Sequence, residues 1–217
     1  HHHLVDTVFG RERPHPGRGG LGGVDDPARA HLLGERAVGL GQLLGLGVLD
    51  ELASRGLDVD VVGGTSQGAF VAGAFALTLD AGLARPLARR LADSLGDKWT
   101  LFTSLTLPLL SYFSGHALNE VLVELFGATQ IEDLWIRSFF VTTNVTDSCM
   151  AVHTAGPLWR YVRASMSVLA LLPPLLDRGH VLIDGGYVNN LPLEALRALA
   201  PQVGTAICSD VESKDNR

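Results

Sequence analysis

Two cysteines and two methionines stand among 217 residues, and aromatic side chains make up only 6% of the chain. Cys149 and Cys208 are too few for a disulfide framework, which excludes a small cross-linked scaffold and fits a reducing compartment such as the cytoplasm. No spacing of His, Cys, Asp or Glu reads as a metal site, so neither metal nor cofactor is expected. Positive charge is scarce too. Seventeen Lys and Arg against 23 Asp and Glu leave a net charge of −6, with no basic patch to meet a nucleic acid. Long hydrophobic runs are also missing. Leu101–Phe113 and Met166–Leu176 are interrupted by Pro108 and by Pro173-Pro174, and neither is long enough to span a bilayer. No charged n-region with an apolar h-region opens the chain, and His1 to His3 carry no argument.

What is present is a composition that is 47% hydrophobic, enough for one domain with a substantial core. Residues 1–34 read as a flexible lead-in. From Gly10 onward they are rich in Gly, Pro and Arg without apolar periodicity, and cannot offset the entropy of ordering them. The domain proper is expected over 35–217. Ala37–Leu40 reads as a first strand and Leu43–Arg55 as an amphipathic helix closed by Gly56. Val59 to Val62 reads as a strand broken by Gly63-Gly64, and Gln67–Leu79 as a helix apolar on every side, hence central. Strand–helix–strand–helix predicts an α/β fold on a parallel, helix-covered sheet. Pro86 opens a further helix, and Ser114 caps one that Gly127 ends. Phe139–Thr146 and Cys149–His153 form a hairpin, and Tyr161–Leu172 reads as a helix. Val181–Ile183, a helix from Pro192 to about Ala200, and a strand Val203–Cys208 complete the chain.

Two positions carry chemistry. Gly64-Thr65-Ser66-Gln67-Gly68 is a G-x-S-x-G stretch between strand and helix, the setting of a nucleophile elbow. Gly64 and Gly68 flank Ser66 because a Cβ there would clash in so sharp a turn, and the helix N-terminus favours developing negative charge at the serine. A plain Gly-rich turn whose serine only caps the helix would read the same. Asp184 closes an apolar strand and is followed by Gly185 and Gly186, at the sheet edge where ligands bind in open α/β folds. An aspartate stabilising its own turn is the competing reading.

The order Ser, acid, His of an α/β-hydrolase triad fails. His180 precedes Asp184, no histidine follows it, and His116 and His153 read as solvated or structural. A Ser66–Asp184 dyad, with the carboxylate taking the serine proton directly, is the simpler assignment.

GTSQG at 64–68 with DGG at 184–186 resembles the patatin-like phospholipase domain. IEDLW at 131–135, LWRYVRAS at 158–165, Leu172-Pro173-Pro174 and DGGYVNNLP at 184–192 are similar to its neuropathy target esterase branch and bacterial relatives. The resemblance covers about residues 43–208. It implies a three-layer α/β/α patatin-like fold with a mostly parallel central sheet, a Ser66–Asp184 dyad and no metal. It also implies hydrolysis of acyl esters in lysophospholipids or phospholipids at a membrane surface, met peripherally. Relatives in that branch carry a membrane anchor and cyclic-nucleotide-binding domains, so the chain reads as a short form or a fragment, truncated after residue 217.

One stretch departs from the pattern. The family's G-G-G-x-R-G loop, whose N–H groups form the oxyanion hole, corresponds to Arg36–Gly45, where only Gly39 and Gly41 remain as candidate donors beside Gln67. Two readings follow: a serine lipid hydrolase, slow because donors are missing, or an impaired relative that binds lipid or a partner through the same cleft. Leu101–Phe113 and Val168–Leu176 read as core or as an acyl-chain channel beside Ser66.

Overall fold

The computed structural model of the chain describes residues 6–12, 37–96, 114–169 and 171–210. Their elements form three layers. The middle layer is a seven-stranded sheet of β1 (Asp6–Glu12), β2 (Val61–Thr65), β3 (Arg137–Asn144), β4 (Cys149–His153), β5 (Leu175–Asp177), β6 (His180–Asp184) and β7 (Val203–Asp210). One face is covered by α1 (Ala37–Ser54), α2 (Gln67–Thr78), α3 (Ala81–Gly96), α4 (His116–Phe126) and α5 (Leu158–Ser165), and the other by α6 (Leu193–Leu199).

Strand periodicity assigns the two cores. Val62 and Phe140 point into the five-helix side with Phe70, Leu122 and Leu158, whereas Val61, Phe139 and Val141 point at Ala195 and Leu196 of α6. Successive side chains alternate between faces because a strand repeats every two residues. β2 is buried along its whole length and β3 from Ser138 onward, and α2 lies at the centre of the larger core with Ala69, Phe70, Val71 and Ala72 all at 0% exposure. The Phe70 ring meets Phe126 of α4 at 5.6 Å in a tilted arrangement, a favourable geometry for aromatic pairs.

The sheet is mixed rather than mostly parallel. β2 and β3 pair in parallel, as expected for strands joined through a helical crossover, while β1–β2, β1–β7, β3–β4, β3–β6 and β5–β6 are antiparallel. Local turns decide two of these pairs, β3–β4 and β5–β6. β5 and β6 are joined by Arg178-Gly179 alone, both at positive φ (49° and 86°), the conformation that suits a two-residue hairpin.

Other expectations are corrected at the amino end. Asp6–Glu12, counted in the lead-in, is a strand paired on one side with β2 and on the other with β7. Thr7, Val8 and Phe9 suit a strand, and ladder bonds on both edges outweigh the Gly/Pro/Arg composition that begins only after them. Ala37–Leu40, expected as the first strand, is the opening turn of α1, since β1 already occupies the place beside β2. Gly39 and Gly41 are therefore helical. β2 also continues through Gly63-Gly64 to Thr65, and α3 begins at Ala81 with Pro86 inside it. α5 starts earlier and stops sooner than expected. The remainder of the lead-in (1–5 and 13–34) and the run Leu101–Phe113 lie outside the described residues.

Candidate active site

Ser66 is the residue between β2 and α2. It adopts φ 55° and ψ −123°, a strained conformation for a non-glycine residue. The turn is so tight that a Cβ on Gly64 would lie 2.3 Å from the carbonyl carbon of Gly68 and 2.7 Å from the Ala69 nitrogen. This is the steric reason for the glycine two before the serine. Gln67 is the first residue of α2, so its N–H belongs to the end of the helix that favours negative charge.

Asp184 reaches Ser66 through sheet register. β2 runs along one side of β3 and ends with Thr65 opposite Val141. β6 approaches antiparallel and begins its pairing with Asp184 opposite Thr142, the next position along β3. β4 occupies the other side of β3 over Phe140–Asn144, so β2 and β6 share one side and meet end to end. Ser66 and Asp184, 118 residues apart in sequence, stand at that junction, and Ser66 Oγ donates a 2.6 Å hydrogen bond to Asp184 Oδ2.

The carboxylate is almost wholly buried, at 3% exposure, and fixed by several bonds. Asp184 Oδ1 accepts from the Gly186 N–H at 2.8 Å. The Asp184 N–H donates to the Ser167 carbonyl at 3.0 Å, and Thr143 Oγ1 donates to the Asp184 carbonyl at 2.8 Å. Gly185 fills the junction itself: a Cβ there would lie 2.4 Å from the Val141 oxygen and 2.8 Å from Thr65 Cγ2. Thr65 Oγ1 donates to the Asn189 carbonyl at 3.0 Å, tying the end of β2 to the turn after β6.

The histidines among the described residues, His116, His153 and His180, are engaged elsewhere. His116 is exposed on α4, facing Glu120 at 3.5 Å, and His180 Nδ1 lies 3.0 Å from an Asp147 carboxylate oxygen. His153 stacks on Tyr161 with ring centroids 4.2 Å apart, its Nε2 is 2.7 Å from Thr142 Oγ1, and burial pulls its pKa down to about 4. Among the described residues no group of His, Cys, Asp and Glu is arranged to hold a metal.

Sequence reasoning missed the groups that hold the pair in place: Thr65, Thr143, Ser165 and Ser167. LWRYVRAS contains Ser165, but no local spacing announces a contact across 99 residues with the Ser66 N–H. Buried Arg163, at 3% exposure, was likewise unmarked. Its guanidinium donates to Asn119 Oδ1, Ser167 Oγ and the Pro173 carbonyl, and burial lowers its pKa to about 10.

Known proteins are similar to this chain in sequence. The patatin-like phospholipase family model matches residues 39–197. The chain is 42% identical over 197 residues to "Lysophospholipase NTE1" of Saccharomyces cerevisiae, covering 87% of this chain and 12% of the yeast protein. It is 45% identical over 172 residues to "Patatin-like phospholipase domain-containing protein 7" of Mus musculus, covering 78% of this chain and 13% of the mouse protein. The chain thus spans about an eighth of the length of these relatives. With the family model covering most of the chain and the Ser66 elbow and Asp184 inside the matched span, the chain belongs to the patatin-like phospholipase family.

Proposed function

We propose that the chain is a serine hydrolase that cleaves acyl ester bonds of lysophospholipids or phospholipids, with Ser66 as nucleophile and Asp184 as its base. The observation that carries this is the 2.6 Å hydrogen bond from Ser66 Oγ to Asp184 Oδ2, a pair within reach for direct proton transfer. As Ser66 Oγ bonds to the acyl carbon, its proton passes to Asp184 and the carbonyl oxygen becomes an oxyanion. Collapse breaks the ester bond, and the departing alcohol takes the proton from Asp184. Water then attacks the acyl-serine, Asp184 accepts the water's proton, and that proton returns to Ser66 Oγ as the fatty acid leaves. No metal or cofactor enters these steps.

Oxyanion stabilisation falls first to the N-terminus of α2, with the Gln67 N–H as donor. The lipid class draws support from the relatives' printed names and from an apolar rim beside the site. Leu169, Leu171, Tyr187 and Val188 are 48%, 49%, 44% and 42% exposed, and the Leu169 N–H donates to the Tyr187 hydroxyl, joining the two segments. Such a patch suits peripheral contact with a membrane surface. Among the described residues no helix is long and apolar enough to cross a membrane.

The test is covalent labelling with a fluorophosphonate together with lysophospholipid turnover. One adduct on Ser66 is expected, absent in Ser66→Ala. Asp184→Asn should lower turnover by about 10²–10⁴ without loss of fold. An adduct elsewhere, or turnover surviving in Ser66→Ala, overturns the assignment.

A second reading, an impaired relative that binds lipid, is favoured by one observation. Gly39 and Gly41 lie in α1, where the Gly41 N–H is spent on the carbonyl four residues earlier. Under it Ser66 still labels, but lysophospholipid turns over about 10²–10³ more slowly than in an enzyme with a complete set of donors.

A further inference from the structure

We infer that Ser165 is a positioning residue whose hydroxyl splices the broken ladder between β2 and β6 and so aims Ser66. The inference rests on the hydrolase reading above and adds to it a residue that acts through the nucleophile's backbone.

Along β3, the ladder from β2 stops at Val141 opposite Thr65, and the ladder from β6 starts at Thr142 opposite Asp184. In an unbroken sheet the next N–H of β2, that of Ser66, would find a carbonyl on β3. Here the chain turns away into α2, and the Ser165 hydroxyl enters the gap. It accepts from the Ser66 N–H at 2.8 Å and donates to the Val141 carbonyl at 2.6 Å. Gly185 closes the same gap from the other strand, packed against the Val141 oxygen and Thr65. Ser165 is at 0% exposure on the last turn of α5, so water has no access to replace it.

Two consequences follow from the hydrogen-bond inventory of a hydroxyl, which has one proton and lone pairs to accept with. The Ser165 proton is committed to Val141, so Ser165 cannot protonate or deprotonate the reacting groups. The Ser66 N–H is committed to Ser165, so it is withheld from the substrate oxyanion and serves instead as an anchor. The anchor fixes the peptide plane that carries Ser66 at φ 55°. That in turn sets the direction of Cβ–Oγ toward Asp184. Removing the hydroxyl takes this partner from the Ser66 N–H and frees Ser66 to relax from its strained turn.

The experiment compares Ser165→Ala with Ser138→Ala in the full chain. Ser138 is a matched control. It is buried at 3%, and its hydroxyl donates to the Ile136 carbonyl at the opposite end of β3. Fluorophosphonate labelling of Ser66 and steady-state hydrolysis of p-nitrophenyl butyrate are measured on both, with circular dichroism to establish folding. Ser165→Ala should lower kcat and the labelling rate by about 10²-fold, as expected for misplacing a reacting atom by about 1 Å, with KM within about threefold of the parent. Ser138→Ala should keep the parent's kcat whatever it does to the melting temperature. A folded Ser165→Ala that labels and turns over at the parent's rate overturns the inference, as does an equal loss in Ser138→Ala. If Ser165→Ala does not fold, Ser165→Cys is read in its place, filling the site with a weak donor and acceptor, and labelling at the parent's rate again overturns it. A parent chain that never labels at Ser66 defeats the hydrolase reading itself, a result distinct from parent and variant labelling alike.

Discussion

Gly63, Gly64 and Ser66 lie within four residues of one another, yet each answers to a different neighbour. A Cβ at Gly63 would run into the Phe139 ring at 2.3 Å, whereas at Gly64 the obstacle is the backbone of Gly68. A side chain can shift, but the first turn of α2 cannot without moving Ser66. Gly64→Ala should therefore abolish fluorophosphonate labelling and destabilise the fold by about 1–3 kcal/mol, measured by denaturant unfolding. A stable, labelled Gly64→Ala would mean the elbow is looser than its geometry. At this scale the sequence was legible where the cause is local. Gly64 follows from one turn's sterics and Gly186 from a strand end that bends back on its own carboxylate, whereas Gly185 is required by the Val141 oxygen and Thr65, which come from other strands. Thr65, Thr143 and Ser165 were silent because their partners arrive from distant parts of the chain.

Elements with a strong period were equally readable. α2 lies within a residue of its expected span, the β3–β4 hairpin forms, and Gly56 closes the helix before β2 at φ 66°. α1 is the exception, running from Ala37 through a glycine-rich stretch that reads as strand and loop. Its core-facing Leu46, Leu49 and Leu52 recur at helical spacing, and tertiary burial overrides the low helix propensity of glycine. Gly47 in this helix has nothing within 4 Å of the place a Cβ would take. Gly47→Ala should then stabilise the protein by about 0.5–1 kcal/mol, seen as a higher denaturation midpoint with unchanged labelling of Ser66. A lower midpoint would show that α1 is not helical at Gly47. In α3, Asp80 does the work expected of Pro86, its carboxylate accepting from the Gly82 and Leu83 N–H groups at 2.6 and 3.2 Å, an N-cap bond pattern.

For the whole molecule, part of the acid sensitivity of stability lies in one half-buried imidazole. His153 lies between Thr142 and the Tyr161 ring, whose hydroxyl donates to Asp177 at 3.2 Å. Burial, partly offset by the Asp177 charge, lowers its pKa from 6.5 to about 4. The unfolded chain binds this proton below about pH 6.5, while the folded chain refuses it until about pH 4. Stability from this group is thus complete above the upper value and falls as acid is added across the window, by on the order of 3 kcal/mol in all. In His153→Gln that part of the slope should vanish when unfolding free energy is measured from pH 7 to pH 4. An unchanged slope would place the acid sensitivity in other groups.

The sequence by itself pointed to the proposed chemistry: a serine in a glycine-flanked turn, an aspartate at a strand end, and no histidine in an order that could serve both. These are short-range facts, set by sterics within a few residues. The tertiary structure decided which strand lies beside β2, the mixed direction of the sheet, and the meeting of β2 and β6 end to end along β3. Ladder bonds and core burial join residues far apart in the chain, and their choice among partners leaves no mark in local composition or spacing. Asp6–Glu12 became an interior strand for that reason, and Ser165, fully buried at the junction, came to hold the Ser66 backbone.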